Sequence, residues 1–271
     1  MPEGSEKVVV ITGASEGIGA SLARVLGHEN HALVLVARRE PELRRTAENS
    51  GNRALAVVAD VTRRSEVERV RDAALKEYGH VDVWVNNVGR GVRRPVLELS
   101  DEDLDTAIAI NVKSALYGMQ AILPHFEERG TGHVLNVSSF LGRVPVASVR
   151  FAAYSAAKAM LGSLTASVRM DLRVRHPNVH VTLVVPGIVR TEFANNALGA
   201  PATGGAGFAT APPQTAEEVS RVIADTIKNP RAEVYTNPVH AEIAKRYLED
   251  PVAFEEHVAL SHRSSQPPRA T

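Results

Sequence analysis

The sequence contains no cysteine and no excess of charge of either sign. Without cysteine there is no disulfide, no thiolate nucleophile and no zinc or iron–sulfur site with sulfur ligands, which fits a reducing compartment. Lys and Arg together number 31, and Asp and Glu also number 31. This balance argues against broad, nonspecific binding to nucleic acid or to an anionic membrane.

Long hydrophobic runs are absent as well. No segment reaches the roughly 18 consecutive apolar residues of a transmembrane helix, so we expect no membrane span. The first seven residues carry charges of both signs and do not resemble a signal peptide. The histidines lack metal-ligand spacing such as H-E-x-x-H, so no metal site is expected. Together these absences favour a cytoplasmic protein.

The hydrophobic residues, 44% of the 271, form short runs that alternate with helix-length segments. The runs predict strands at 7–11, 31–36, 54–58, 81–85, 133–137 and 179–185. Helical patterns begin near Ile18 and cover 41–49, 65–78, 101–129 and 154–173. Strands that are apolar on both faces and joined by helices are typical of a parallel sheet covered on both sides. We predict a single-domain, doubly wound α/β fold of the Rossmann type over residues 7–250.

Three segments fall outside this alternation. Residues 194–213 are rich in Ala, Gly, Thr and Pro and lack helical periodicity. A loop of that length in a compact domain is usually functional, so we predict a substrate loop or lid there. Residues 1–6 and 260–271 are predicted to be flexible tails.

A glycine-rich turn separates the first predicted strand from the first helix. Its sequence, Thr12 to Gly19, is TGASEGIG. Glycines at this point allow the backbone to approach a ligand closely, so that amide groups and the helix N-terminus face a pyrophosphate. The candidate pyrophosphate-binding residues are Gly13, Ser15, Glu16, Gly17, Ile18 and Gly19.

The chain resembles the short-chain dehydrogenase/reductase family, and the resemblance is carried by motifs in the family's order. The turn matches TGxxxGxG in full, and the later motifs are Asn86-Asn87-Val88-Gly89, Asn111, Ser138-Ser139, Tyr154 to Lys158 (YxxxK) and Pro186 to Thr191. The resemblance implies hydride transfer between a nicotinamide cofactor and a carbonyl or secondary alcohol. It also implies that the helix after Tyr154, which is rich in small residues, builds a homodimer or homotetramer.

The end of the second strand predicts which cofactor is used. Arg38 and Arg39 follow this strand, and no carboxylate ends it. An arginine there favours the 2′-phosphate of NADP(H), whereas an acidic residue favours NAD(H). We therefore predict NADP(H), with Arg38 as the main phosphate ligand and Arg39 and Ser15 in support. Relatives that prefer NADP often carry a basic residue where this chain has Glu16.

The resemblance places further residues along the cofactor. Asp60 and Val61 are expected beside the adenine, and Asn86 beside the adenosine ribose. The other expected cofactor contacts are Asn87, Gly89, Tyr154, Lys158, Pro186, Gly187, Ile188 and Thr191.

The predicted catalytic residues are Ser139, Tyr154, Lys158 and Asn111. Tyr154 and Lys158 are four residues apart on a helical pattern, so their side chains project from one face. A nearby ammonium lowers the pKa of a phenol, which is near 10 when free, so the phenol can act as an acid or base. By resemblance the serine hydroxyl holds the substrate oxygen, and Asn111 marks a local helix break that holds a water linked to Lys158. Either Ser138 or Ser139 can take the serine role.

Two other functions fit parts of the sequence. A non-catalytic regulator that binds NADP(H) needs the turn but not a proton relay, and a nucleotide-sugar epimerase shares YxxxK but usually has a different glycine spacing. The substrate-selecting loops are predicted at 90–96, 142–151 and 193–213, and the last two favour a largely apolar carbonyl compound. Arg90, Arg93 and Arg94 are interpreted as a solvated basic cluster rather than a site for an acidic substrate.

Overall fold

A computed structural model describes residues 6–199 and 211–264 of the chain, with side chains described as far as residue 260. Its main strands are β1 (Val8–Thr12), β2 (Ala32–Ala37), β3 (Ala54–Val58), β4 (Val83–Asn86), β6 (Gly132–Val137), β7 (Val179–Val185) and β11 (Glu233–Tyr235). They form one sheet in the order β11-β7-β6-β4-β1-β2-β3, and every neighbouring pair is parallel. Four strands of two residues lie outside it: β5 (Val92–Arg93), β8 (Val189–Arg190), β9 (Leu198–Gly199) and β10 (Gln214–Thr215).

The helices fill the connections between the strands. They are α1 (Gly17–His28), α2 (Glu40–Glu48), α3 (Arg64–Tyr78), α4 (Asp101–Ile108), α5 (Ser114–Arg129), α6 (Ala152–Arg175), α7 (Ala216–Lys228), α8 (Pro238–Glu249) and α9 (Pro251–Ser264). Short 3-10 turns lie at Val96–Glu98, Phe140–Gly142 and Pro145–Ser148.

The core has one layer on each face of the sheet, because successive side chains of a strand point to opposite faces. Val8 and Val10 of β1 pack in the layer that contains Val70 of α3 and Phe126 of α5. Val9 and Ile11 pack in the other layer, together with residues of α1, α2 and α7: Leu22, Leu26, Leu43, Val219 and Ile223. Helices cover both faces, so the predicted doubly wound α/β fold is confirmed.

The structure departs from the prediction at three places. The predicted helix over 101–129 is divided by a π-helical turn at Ala109–Lys113. Strand β11 was not predicted, because three residues are too few for a clear strand pattern. Helices α7 to α9 were not predicted either. Helix α9 continues through Ser264, past the predicted start of the tail at 260. Residues 1–5, 200–210 and 265–271, on which the rest of the predicted tails and half of the predicted loop fall, lie outside the described residues.

None of the helices within 6–199 and 211–264 is long and apolar enough to cross a membrane.

Candidate active site

The glycine-rich turn has a backbone that only glycine adopts easily. Gly13 and Gly17 have φ values of 68° and 58°, and a Cβ on Gly19 would lie 2.3 Å from the Gly13 carbonyl oxygen. Asn87, which follows the neighbouring strand β4, holds the turn by hydrogen bonds. Its side-chain amide donates to the carbonyl oxygens of Thr12 (3.0 Å) and Gly13 (3.3 Å), and its backbone N–H donates to the Thr12 hydroxyl (3.0 Å). The turn is therefore held in shape without a ligand.

The N-terminus of α1 faces the same turn. The residue before the helix, Glu16, makes no capping hydrogen bond with its side chain. The first N–H groups of a helix lack partners within the helix and carry partial positive charge, so this end can receive an anionic group.

Two arginines at the end of β2 differ in their surroundings. A guanidinium nitrogen of Arg39 lies 2.7 Å from a carboxylate oxygen of Glu16 and also donates to the Ser15 hydroxyl (3.3 Å). The hydrogen bond with Glu16 raises the pKa of Arg39. Arg38 is exposed and makes no side-chain hydrogen bond or ion pair with the part of the chain that the structure describes. Arg38 is thus the guanidinium that remains available to a ligand at this strand end.

The next strand end carries Asp60 and Val61. One carboxylate oxygen of Asp60 accepts hydrogen bonds from the Thr62 backbone N–H (3.0 Å) and hydroxyl (2.7 Å), and Val61 is buried. The backbone N–H of Ala59 donates to the Ala37 carbonyl, so this segment lies beside the two arginines.

Asn86 does not face the cofactor cleft, and the expectation that it flanks the adenosine ribose is wrong. It is buried among core groups: its side-chain oxygen accepts from the Trp84 indole (2.8 Å), and its amide donates to Asn136 (2.9 Å). Asn86 and Asn87 are consecutive at the end of β4, so their side chains point in opposite directions. Only Asn87 can therefore reach the glycine-rich turn.

Tyr154 lies in the first turn of α6 and is only 6% exposed. The rings of Phe193 and Phe151 flank it, with centroids at 5.3 and 6.1 Å. Burial raises the pKa of Tyr154 to about 12, although a hydrogen bond with the Ser139 side chain acts to lower it. The hydroxyl of Ser138 instead donates to the Lys158 carbonyl oxygen (3.0 Å), inside the fold. Of the two serines, only Ser139 is hydrogen-bonded to the phenol.

Lys158 lies one turn further along α6 and is 3% exposed. Its ammonium nitrogen donates to the Val137 carbonyl oxygen (2.9 Å) and lies 5.7 Å from the centre of the Tyr154 ring. Burial lowers the pKa of Lys158 to about 7. The expected lowering of the phenol pKa by Lys158 is therefore not found in this structure, because desolvation disfavours the charged forms of both side chains.

Asn111 lies in the π-helical turn, where the sequence predicted a local break. Its side chain pairs with the backbone of residue 90: it accepts from the Arg90 N–H (3.0 Å) and donates to the Arg90 carbonyl (3.0 Å). The side-chain amide of Asn111 also donates to the Ala107 carbonyl (3.0 Å). A Cβ on Gly89 would lie 3.1 Å from the Lys158 nitrogen and 3.2 Å from the Asn111 side-chain oxygen. Gly89 is thus the point at which the two side chains converge.

The last motif follows β7 and lies beside the loop after β6. The Pro186 carbonyl accepts from the Phe140 N–H (2.8 Å), and Gly187 packs against the ring of His240. Ile188 is exposed, and the Thr191 side chain lies 3.4 Å from the position of a Cβ on Gly17. Thr191 therefore lies close to the N-terminus of α1.

Residues 191–199, here called the strap, connect this motif with the opposite wall of the cleft. The Asn196 side chain donates to Glu16 (3.0 Å), while its carbonyl accepts from the Arg90 guanidinium (2.7 Å). The Ala194 carbonyl accepts from Arg93 (2.9 Å), and β9 in the strap pairs with β5. Arg90 and Arg93 therefore contact the strap, and Arg94 pairs with Asp103 (2.7 Å). The three arginines have partners in the protein, and their interpretation as a solvated cluster stays a prediction.

The sequence of the chain matches a protein-family model, described as "short chain dehydrogenase", over residues 7–201. The chain belongs to this family. An uncharacterized oxidoreductase of Staphylococcus epidermidis is 35% identical over 193 residues, which cover 71% of this chain and 82% of the relative. This short-chain dehydrogenase/reductase is thus an oxidoreductase with a Rossmann-type nucleotide-binding fold.

Solved structures of the family share the fold over most of their length. A short-chain dehydrogenase/reductase from Burkholderia phymatum in complex with NAD has a TM-score of 0.82 and 26% identity, covering 93% of this chain and 96% of that one. An alcohol dehydrogenase from Thermococcus sibiricus, complexed with 5-hydroxy-NADP, has a TM-score of 0.73 and 26% identity, covering 85% and 96%. Similar structures therefore bind both kinds of nicotinamide dinucleotide.

The residues present in this short-chain dehydrogenase/reductase fit such a cofactor. Gly19 lets the start of α1 pack directly against the Gly13 carbonyl, and the end of α1 offers N–H groups to a pyrophosphate. Arg38 lies exposed after β2, and Lys158 and Tyr154 lie buried on α6. This set of donors agrees with a dinucleotide.

Several residues of the site were not found from the sequence. Phe151 and Phe193 enclose the phenol, Asn196 and Arg90 hold the strap, and His240 supports the last motif. Phe193 and Asn196 fall in the predicted substrate loop, which was a usable signal. His240 lies on a helix far from every motif, and no local pattern could have indicated it.

Proposed function

We propose that this protein transfers a hydride between NADP(H) and a carbonyl or secondary alcohol, with Tyr154 as the acid or base. The observation that carries the proposal is the buried Tyr154 hydroxyl, which is hydrogen-bonded to Ser139 and lies beside Lys158 at the carboxyl edge of the sheet. Ligands of open parallel α/β sheets bind at this edge. A regulatory protein that only binds the cofactor would need no such buried pair of hydroxyl groups.

The four polar residues divide the work of proton transfer. A bound nicotinamide supplies or accepts the hydride. The raised pKa of Tyr154, about 12, keeps its phenol protonated at neutral pH, so that it can donate a proton to a carbonyl oxygen. The Ser139 hydroxyl holds the same oxygen and stabilises its developing negative charge. In alcohol oxidation the phenol must first lose its proton to solvent through the Lys158 side of the site, and the phenolate oxygen then takes up the hydroxyl proton of the alcohol.

Lys158 and Asn111 support the proton transfer by Tyr154. One N–H of Lys158 is used by the Val137 carbonyl, which fixes the amine and leaves its other protons for the nicotinamide ribose. Asn111 holds the backbone of residue 90 and lies with Lys158 around Gly89. We assign Asn111 to the path by which Lys158 exchanges protons with solvent.

The remaining assignments follow the cofactor along the cleft. The turn from Gly13 to Gly19 would hold the pyrophosphate, and Asp60 and Val61 would flank the adenine. Asn87 shapes the turn through its bonds to Thr12 and Gly13. Around the nicotinamide are Gly89, Pro186, Gly187, Ile188 and Thr191.

The preference for NADP(H) rests on Arg38. Its guanidinium has no hydrogen bond or ion pair with the described residues, whereas Arg39 is already paired with Glu16. A charge-assisted hydrogen bond contributes about 1.5–3 kcal/mol. Such a contact with the 2′-phosphate makes NADP(H) bind roughly ten- to a hundredfold more tightly than NAD(H).

The substrate is expected to be a largely apolar carbonyl compound. The Tyr154 ring lies near the rings of Phe151 and Phe193, and apolar side chains around a few polar groups are typical of small-molecule sites. Near the entrance, the charge of Arg94 is balanced by Asp103, while Arg90 and Arg93 direct N–H groups to strap carbonyls, which leaves fewer donors for an acidic substrate.

A substrate panel tests the proposal. Aryl aldehydes, aliphatic ketones, 3-keto esters and α-diketones are assayed with NADPH and NADH side by side, following absorbance of the reduced cofactor. We expect turnover of at least one class, with a higher kcat/KM for NADPH than for NADH. Tight NADPH binding without any turnover, in both reaction directions, would instead support the non-catalytic regulator.

A further inference from the structure

His240 lies in the first turn of α8 and is 2% exposed, although it is remote from every motif of the family. Its ring stacks on that of Phe140, with centroids 4.4 Å apart and an angle of 26° between the planes. Phe140 directly follows Ser139. The histidine ring is therefore one residue away from the hydroxyl that is bonded to Tyr154.

The ring of His240 also contacts the last motif, Pro186 to Thr191. A Cβ on Gly187 would lie 1.9 Å from a ring carbon of His240, so a glycine is required for this contact. The loops that carry Ser139 and Gly187 are also joined directly, because the Phe140 N–H donates to the Pro186 carbonyl (2.8 Å). His240 thus fills the space beneath the point where these two loops meet.

Helix α8 holds the ring from a fixed element. Asn237 caps the helix, since its side-chain oxygen accepts from the Val239 N–H (3.1 Å). The preceding residue, Thr236, donates its N–H to the Val185 carbonyl (3.2 Å) at the end of β7. Burial lowers the pKa of His240, so its ring is neutral at neutral pH and suits this apolar setting.

We propose that His240 is a positioning residue of the active site, which sets the distance between the Ser139 loop and the Pro186–Gly187 turn. This inference rests on the proposed function, since these two segments are assigned to the substrate oxygen and to the nicotinamide. Removing the ring lets both loops move into the vacated space. A displacement of about 1 Å between reacting groups can slow a reaction by about a hundredfold.

The test uses His240→Ala and His240→Gln in the full-length protein. Both variants lack the flat ring, but Gln leaves a smaller void and keeps the variant testable if Ala does not fold. With NADPH and the panel carbonyl that has the highest turnover, we expect kcat to fall about tenfold or more in both variants. The Kd of NADPH should change by less than about threefold, because the adenosine and pyrophosphate contacts remain. The fluorescence enhancement of bound NADPH should decrease, because it reports the surroundings of the nicotinamide.

Phe254→Ala is the matched control. Phe254 belongs to the same apolar cluster as Phe140, but its ring contacts Tyr247 at 5.5 Å. We expect a comparable fall in Tm with kcat and NADPH fluorescence unchanged. The proposal is overturned if the His240 variants keep the wild-type kcat and fluorescence, or if Phe254→Ala reduces them equally. If the wild-type protein binds NADPH but reduces no carbonyl, the proposed function fails, whereas the fluorescence comparison still decides the role of His240.

Discussion

At the scale of single residues, the site combines a buried acid with a buried base. Tyr154 and Lys158 are both nearly inaccessible, and burial moves their pKa values in opposite directions, to about 12 and about 7. Each side chain therefore favours its neutral form in the absence of a partner charge. The sequence predicted the pairing of the two residues through their spacing, but it could not give the depth at which they lie.

Replacing Tyr154 by Phe removes the hydroxyl and leaves the ring between Phe151 and Phe193. We expect kcat for the best panel carbonyl to fall about a hundredfold or more, since the variant lacks the hydroxyl assigned to donate the proton. NADPH binding, measured by fluorescence titration, should be unchanged. Tyr78→Phe is the control, because the Tyr78 hydroxyl bonds to the Arg53 carbonyl, away from the site. Preserved turnover in Tyr154→Phe would remove Tyr154 from its assigned role.

Lys158 gives the stability of the protein a pH dependence with a definite sign. Its pKa is about 7 in the folded protein, against an ordinary value of 10.5, so the unfolded chain binds more protons between these pH values. The free energy of unfolding should therefore rise as pH increases from 7.5 to 9.5, by at most about 1.4 kcal/mol per pH unit.

Urea titrations of the wild-type protein and of Lys158→Met measure this dependence. The variant should lose the rise, because methionine does not titrate. Wild-type stability that does not rise over this range, or a rise that persists unchanged in the variant, would contradict a lowered pKa of Lys158.

Glu16 is expected to weaken NADP(H) preference, because its carboxylate neutralises Arg39 at 2.7 Å. Glu16→Gln should raise the ratio of kcat/KM for NADPH to that for NADH by about threefold to tenfold. Arg38→Ala should lower the same ratio and leave NADH kinetics nearly unchanged. Glu40→Gln is the control for a lost surface carboxylate, since Glu40 pairs with Arg44 (2.6 Å). An unchanged ratio in both Glu16→Gln and Arg38→Ala would refute the assignment of the phosphate site.

At the scale of elements, the strap connects the two ends of the cleft. Asn196 is bonded to Glu16 near the adenosine end and to Arg90 beside Asn111. The strap therefore bridges the predicted cofactor site through Asn196. The sequence marked residues 194–213 as a functional loop from composition alone, but its partners come from residues far away in the chain and could not be predicted.

Asn196→Ala removes the bond to Glu16 and should increase the dissociation rate of NADPH. Loss of one such hydrogen bond predicts an increase of about threefold to tenfold, measured by stopped-flow displacement of NADPH with excess NADP. Asn195→Ala is the matched control, because that side chain bonds to Glu192 within the strap (2.8 Å). Equal rates in the wild type and in both variants would show that the strap does not retain the cofactor.

At the scale of the whole molecule, the sheet was predictable because each of its first six strands is a continuous apolar run between helices. The last strand was not, since β11 has three residues and gains its place by pairing with β7. The cofactor turn followed from glycine spacing, whereas the error at Asn86 arose because a motif does not state which of two consecutive side chains points inward. The C-terminal helices carry no motif, which is why the support from His240 was missed.

The outer face of α6 also bears on the whole molecule. Met170 and Val174 are 65% and 80% exposed on this helix, which is rich in small residues. Exposed apolar side chains on one helix are consistent with the predicted homodimer or homotetramer. Sedimentation should show a species larger than the 29.1 kDa monomer, and Val174→Glu should shift it toward the monomer. A purely monomeric wild-type protein would contradict this expectation.

The buried amide network around Asn86 has a practical consequence. Trp84 is the only tryptophan of the sequence, and it is fully buried with its indole N–H bonded to Asn86 in the central part of the sheet. All indole emission therefore originates from one core position between β1 and β6. A red shift in that emission will report opening of the central sheet itself, free of signals from loops or surface residues.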